Sequence, residues 1–413
     1  MSRRLKVFVL LVIYTIASLV PLPPATAKTA YSKTLEQIYK SKDVYKDTET
    51  RLSELNKAYS NITYLFTAGQ SVQKRNLSVL KVGNGPKKLF INASHHPREY
   101  MGTILTLHQI QYILEAYAAN KTIDNCNIRK LLDKEISFYF MPLVNPDGVQ
   151  ICVNGSPSYY FNANKVDLNH NYDALWFKEI TKNYSTGPNA FSEPETQAVK
   201  ALCEEIEFEL TIAYHAAGDI IYWYFGQQGE ERKRDQSYAN MLKNLTGYSL
   251  VSPANYKSST SGFKDWCIMK LKIPSFTIEI GGKRGLSKPV EWSLYNSIWE
   301  KNKLVPVRTA TQLLNQKTFK GDQKASLIHN NKLVVLEQSI VSEKGKSYIS
   351  VKDAQKLGMS SLQKSVLDEL AKSQITKGSI SYVPLEALAE KLGLTGRFEK
   401  NANTYYLEGN IAE

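Results

Sequence analysis

Residues 89–99, Leu89-Phe90-Ile91-Asn92-Ala93-Ser94-His95-His96-Pro97-Arg98-Glu99, place a short apolar run directly before a histidine and a carboxylate three residues apart. The run from Lys88 to Ala93 reads as a buried strand. The segment from Met101 to Ala118 carries Leu107, Ile110, Ile113, Leu114 and Tyr117 on one helical face. A strand therefore leads through a turn into a helix, and the turn presents His96 and Glu99. An imidazole nitrogen and a carboxylate at this spacing close on one Zn²⁺, with a third ligand supplied from elsewhere and one position left for water. Taken alone the pair is also compatible with a solvated turn, so its surroundings decide.

Outward from this point the chain alternates. Upstream lie helical patterning over Asp47 to Tyr59, a strand over Leu77 to Val82 and a tight turn at Gly83-Asn84-Gly85-Pro86. Downstream, Ile136 to Val144 reads as a second buried strand that delivers Asn145-Pro146-Asp147-Gly148. Alternating strands and helices predict an α/β fold with a mixed central sheet flanked by helices, in which ligands gather at the carboxyl ends of strands. Two further strands end on reactive side chains. Phe208 to Tyr214 runs into His215, and Ser275 to Ile278 runs into Glu279. Three such strand ends supply two His and one Glu for Zn²⁺ and leave a second Glu to act as base, which is the constellation of a zinc peptidase.

On these residues the chain resembles the zinc metallocarboxypeptidases. The likeness covers roughly Tyr31 to Lys317 and includes Asn145-Pro146-Asp147-Gly148, Val166-Asp167-Leu168-Asn169, Ser192-Glu193-Pro194-Glu195 and Gly262-Phe263-Lys264-Asp265-Trp266. It implies Zn²⁺ held by His96, Glu99 and His215, with Glu279 as the catalytic glutamate and Arg98 assisting the carbonyl. The run from Thr211 to Trp223 is most similar to the bacterial γ-D-glutamyl-meso-diaminopimelate peptidases, which implies peptidoglycan stem peptides as substrates. Three departures stand out. His170, beside Asn169 in the substrate-binding segment, replaces an arginine that clamps the terminal carboxylate in digestive members of the family. No arginine falls between Gly148 and Lys165 to stabilise an oxyanion, where Tyr159, Tyr160 and Lys165 are the candidates. Tyr256 meets the family's tyrosine only with a one-residue slip. Lys264 falls in the segment that lines the family's specificity pocket, where an ammonium favours an acidic group; an exposed surface lysine is the alternative.

The amino terminus has Arg3, Arg4 and Lys6, an apolar stretch from Val7 to Val20, and Ala25-Thr26-Ala27, the pattern of a signal peptide over 1–27. A membrane anchor is the weaker alternative, because Pro21, Pro23 and Pro24 break a short apolar run. Export to the extracellular space or cell wall is the expected localisation, and the net charge of +13 suits a polyanionic wall. No motif suggests nucleic acid, and no later stretch suggests a transmembrane segment. Cys126, Cys152, Cys203 and Cys267 allow either disulfides or buried thiols, and Asn61, Asn120 and Asn244 head Asn-x-Ser/Thr triplets. The peptidase domain is expected over 28–317, followed by a polar linker ending at Lys324 and a small α+β domain over 325–413. In that tail Tyr348-Ile349-Ser350-Val351 with Ala354 to Met359 resembles Tyr382-Val383-Pro384-Leu385 with Ala389 to Leu394. Each copy reads as strand, short helix and Gly cap, similar to the small domain at the amino terminus of copper amine oxidases. The expected function is a secreted zinc peptidase of stem peptides. The alternatives are a general extracellular metallocarboxypeptidase and a catalytically weak wall-binding protein.

Overall fold

The computed structural model describes residues 31–409 apart from 183, 254–260, 283–286, 317–324, 339, 344–345, 358–363, 371–372, 378 and 400–403. The expected signal peptide, the linker and Tyr256 lie outside the described residues.

Twelve strands form one mixed sheet: β1 (Thr63–Gln70), β2 (Asn76–Val82), β3 (Lys87–Ala93), β4 (Ile136–Met141), β5 (Leu210–Ala216), β6 (Ile220–Tyr222), β7 (Ser249–Leu250), β8 (Ser275–Ile280), β9 (Ser326–His329), β10 (Lys332–Val334), β11 (Thr395–Glu399) and β12 (Thr404–Glu408). Across the sheet they run β11-β12-β9-β10-β1-β2-β4-β3-β5-β8-β6-β7. The centre, β4-β3-β5-β8, is parallel, and β1, β2 and β6 pair antiparallel around it. The flanking helices are α1 (Val44–Ala58), α2 (Met101–Ala118), α3 (Pro146–Val153), α4 (Pro194–Ile206), α5 (Gly229–Thr246), α6 (Tyr295–Asn302) and α7 (Val305–Leu314); parallel strands need crossovers, and α2 to α5 lie in those of the parallel centre.

The period of two along a strand explains the layering. Leu89, Ile91 and Ala93 of β3 enter one core with Ile104, Leu107 and Ile110 of α2, while Phe90 points into a second core with Ala198, Val199 and Leu202 of α4. Both faces of the central strands are buried, which is why they read as continuous apolar runs. This is the expected mixed α/β architecture with flanking helices.

Element ends differ from expectation for local reasons. The second buried strand stops at Met141 rather than Val144, because Pro142 has no N–H to continue the ladder; the chain stays attached through Val144 N donating to Ala93 O at 3.0 Å. Helix α1 starts three residues earlier than the pattern suggested, at Val44, because the Asp43 carboxylate accepts from Lys46 N and caps it.

The C-terminal residues contribute to two sheets. Strand β10 lies parallel to β1 at Thr67 and Lys332, where Thr67 N donates to Asn331 O at 2.6 Å. Lys81 of β2, 2 % exposed, donates from Nζ to Glu399 of β11 at 2.5 Å. The strands Val341–Glu343, Lys346–Ser350, Ile375–Lys377 and Ile380–Pro384 form a separate antiparallel sheet over a core that includes Ile349, Leu357, Val383 and Leu388. The two similar stretches each give a strand followed by a helix, Val351–Ala354 and Leu385–Lys391. Gly393 follows the second helix at φ +70°, and its counterpart Gly358 lies outside the described residues. All four cysteines are free thiols, three of them buried, and they pack as small hydrophobes. No described helix is long and apolar enough to cross a membrane.

Candidate metal and catalytic site

The strand β3 ends at Ala93, and Ser94 turns the chain at φ +63°. The Ser94 hydroxyl pairs with the Thr103 hydroxyl at 2.7 Å, and Thr103 donates to Pro142 O at 2.7 Å, which fixes the turn against the start of α2. Pro97 then opens a single 3₁₀ turn, Pro97–Glu99. Three residues per turn bring His96 and Glu99 onto one face. His215, in β5, comes in from the neighbouring strand, and Glu279 of β8 is its register partner on the next. Residues in register on parallel strands project from the same face of the sheet.

The three candidate ligands converge. His96 Nδ1 lies 2.9 Å from Glu99 Oε1, His215 Nδ1 lies 2.9 Å from Glu99 Oε2, and the two Nδ1 atoms are 3.2 Å apart. Two imidazole nitrogens aimed at one another beside a carboxylate repel unless a proton or cation sits among them. Zinc with bonds of 2.0–2.1 Å to a tetrahedral donor set holds its ligand atoms about 3.3 Å apart, so the triangle present here fits that ion closely. All three residues are buried.

A carboxylate behind His96 sets its tautomer. Asp167 Oδ1 lies 3.2 Å from His96 Nε2, while Oδ2 lies 3.0 Å from His170 Nδ1 and Oδ1 accepts from Asn169 N at 3.0 Å. An acceptor at Nε2 holds a proton there, so it is Nδ1 that turns a lone pair to the triangle once it gives up its own proton. Burial disfavours the His96 imidazolium, but Glu99 and Asp167 outweigh it and lift its pKa to about 10. Burial opposes the charge on Asp167 too, and His96 and His170 hold it well below the usual carboxylate range. His215 is pushed down by burial, so it is neutral at pH 7.

In front of the triangle lies a cavity of about 200 Å³ lined by His96, Glu279, Tyr160, Asn169, His170 and Lys264 among others. The Asn169 amide oxygen accepts from Phe263 N at 3.1 Å. Lys264 is largely buried; its ammonium pairs with Asp265 and donates to Tyr224 O at 3.3 Å. The expected acid-reading lysine therefore faces the cavity with its charge already partnered. Arg98 is not among the cavity-lining residues; its guanidinium carbon lies 4.4 Å from the centroid of the Tyr160 ring. Tyr160 in turn stacks on His96, with centroids 3.9 Å apart and planes at 21°, and burial raises its pKa well above the ordinary phenol value.

Two supporting residues had escaped assignment. Asp167 sits in the Val166-Asp167-Leu168-Asn169 run, where only its pairing across to His96 reveals its role. Tyr172 meets His95 Nε2 at 2.9 Å through its hydroxyl, and His95 packs nearly parallel to His215 with centroids 5.5 Å apart.

The family model described as zinc carboxypeptidase matches residues 48–305. The γ-D-glutamyl-L-diamino acid endopeptidase 1 of Lysinibacillus sphaericus is 28% identical over 259 residues, spanning 56% of this chain and 63% of that protein. Carboxypeptidase M of Mus musculus is 31% identical over 189 residues, spanning 43% of this chain and 39% of its own length. The matches thus cover less than two thirds of these relatives. Bovine thrombin-activatable fibrinolysis inhibitor, in its structure with a tick carboxypeptidase inhibitor, superposes with a TM-score of 0.55 at 19% identity over 70% of this chain and 98% of that one, a likeness of fold.

Proposed function

The chain belongs to the zinc carboxypeptidase family, and we propose that it is a secreted zinc peptidase that hydrolyses the γ-D-glutamyl-diaminopimelate bond of peptidoglycan stem peptides. The observation that carries the proposal is the convergence of His96 Nδ1, Glu99 and His215 Nδ1 beside a cavity that also holds Glu279. In this reading those three residues hold Zn²⁺. The ion, when bound, supplies Lewis acidity toward a water and the scissile carbonyl. Glu279 takes the proton of the attacking water and returns it to the leaving amine. Asp167 holds His96 in the ligating tautomer, and Asn169, His170 and Lys264 bind the substrate.

The choice of bond rests on three supports. The relative from Lysinibacillus sphaericus is named for γ-D-glutamyl-L-diamino acid bonds. His170 stands where a carboxylate-clamping arginine would serve general C-terminal trimming, and its Nδ1 is already engaged by Asp167. The signal-like leader and the net charge of +13 suit work in an anionic wall.

The test is to incubate the zinc-loaded protein with L-alanyl-γ-D-glutamyl-meso-diaminopimelyl-D-alanine and weigh the products. Release of L-alanyl-γ-D-glutamate supports the proposal. Release of D-alanine alone would indicate a carboxypeptidase, and no product would indicate a binding protein.

A further inference from the structure

Hydrolysis of an amide puts negative charge on the carbonyl oxygen, and a donor aimed at that oxygen is commonly the largest single catalytic contribution. The reacting carbonyl lies beside the ligand triangle, so its donor must stand next to His96. Several of the polar groups that line the cavity already have a protein partner. Lys264 is paired with Asp265 and Tyr224 O, His170 Nδ1 with Asp167, and Trp223 Nε1 with Val251 O. Of the two neighbours that sequence alone left open, Tyr159 turns its hydroxyl to Asn162 O at 2.6 Å, and Lys165 is exposed and absent from the cavity lining. Tyr160 remains. Its ring lies flat on the His96 imidazole and is covered by Arg98, contacts that lock its orientation while it faces the cavity shared with Glu279.

We propose that the Tyr160 hydroxyl is the hydrogen-bond donor to the oxyanion, a catalytic role that rests on the peptidase function proposed above. Water oxygen bonds to the carbonyl carbon as its proton passes to Glu279, and the carbonyl π pair moves onto oxygen. Tyr160 donates a hydrogen bond to that oxygen and keeps its proton throughout. The C=O bond then re-forms, the C–N bond breaks, and the proton on Glu279 goes to the departing nitrogen.

The test separates the ring from the hydroxyl by comparing the parent, Tyr160→Phe and Tyr160→Ala in three measurements: zinc content, turnover of the stem tetrapeptide and affinity for inorganic phosphate. Phosphate presents tetrahedral oxygens without any peptide, so it reads the hydroxyl even if the stem peptide is not the substrate. Tyr160→Phe should keep its zinc, lose about 10²–10³ in kcat with KM unchanged, and bind phosphate at least tenfold more weakly. Tyr160→Ala, which also strips the stacking face from His96, should in addition hold zinc less tightly. Weaker phosphate binding by Tyr160→Phe in a protein whose parent cuts no stem peptide would sustain the donor role and reject the substrate. Equal phosphate affinity in parent and Tyr160→Phe, or loss of zinc from Tyr160→Phe, would overturn the donor role.

Discussion

His215 and Glu279 are register partners on adjacent parallel strands, so a candidate metal ligand and the candidate base project from the same face of the sheet. The arrangement separates their tasks. His215 Nδ1 is within 2.9 Å of Glu99 and belongs to the ligand triangle, whereas Glu279 lines the cavity in front of it.

The triangle predicts the metal content. The purified parent should carry one zinc per chain by elemental analysis, and His96→Ala or His215→Ala should carry almost none. Asp167→Asn keeps the shape but removes the charge behind His96, and should weaken zinc affinity by about 10–100-fold. Full zinc in both histidine variants would remove the assignment.

Zinc uptake should release a proton. The metal requires a neutral imidazole, but His96 without metal has a pKa of about 10 because of its two carboxylate neighbours, so at pH 7.5 a proton must leave. His215, pushed down by burial, contributes none. Titrations in buffers of different ionisation enthalpy should show about one proton released per zinc, with affinity rising about tenfold per pH unit up to the His96 pKa. A pH-independent affinity between pH 7 and 9 would contradict this.

How much of this was legible in the sequence depended on range. Lys88 to Ala93 showed itself as a strand because both faces are buried and the run is apolar throughout, and the turn holding His96 and Glu99 is local. The pairing of His215 with Glu279 was visible only as two separate strand ends, since register across 64 residues leaves no periodic trace. Asp167 and Tyr160 were hidden for the same reason: each meets His96 only across a fold that brings distant segments together. The docking of β10 on β1 was also hidden, because a parallel pairing at Thr67 and Lys332 has no hairpin signal to announce it.

The proposed substrate-binding role of Lys264 predicts a charge preference. Its ammonium is paired with Asp265, and an incoming carboxylate would share it. A stem peptide with free γ-D-glutamate should be cut better than its isoglutamine counterpart, and Lys264→Met should erase that preference. Equal rates on both peptides by the parent would show that Lys264 does not read charge.

The contact between the C-terminal strands and the peptidase sheet has its own test. Lys81 is buried, and desolvation lowers its pKa to about 8 against the pull of Glu399. Glu399→Gln leaves that ammonium without its counter-charge and should cost about 3 kcal/mol of stability. Replacing both partners, Lys81→Met with Glu399→Leu, should recover most of the loss. Chemical denaturation measures both, and an unchanged midpoint for Glu399→Gln would show that the pair does not hold the strands together.

The most direct measurement is made on Glu279→Gln, which preserves shape and removes the base. Zinc content and turnover of the stem tetrapeptide should be determined on the same preparation. Zinc should stay at one per chain while turnover falls by about 10³-fold or more, since proton transfer and its electrostatic support vanish together. Turnover close to that of the parent at full zinc occupancy would contradict the account.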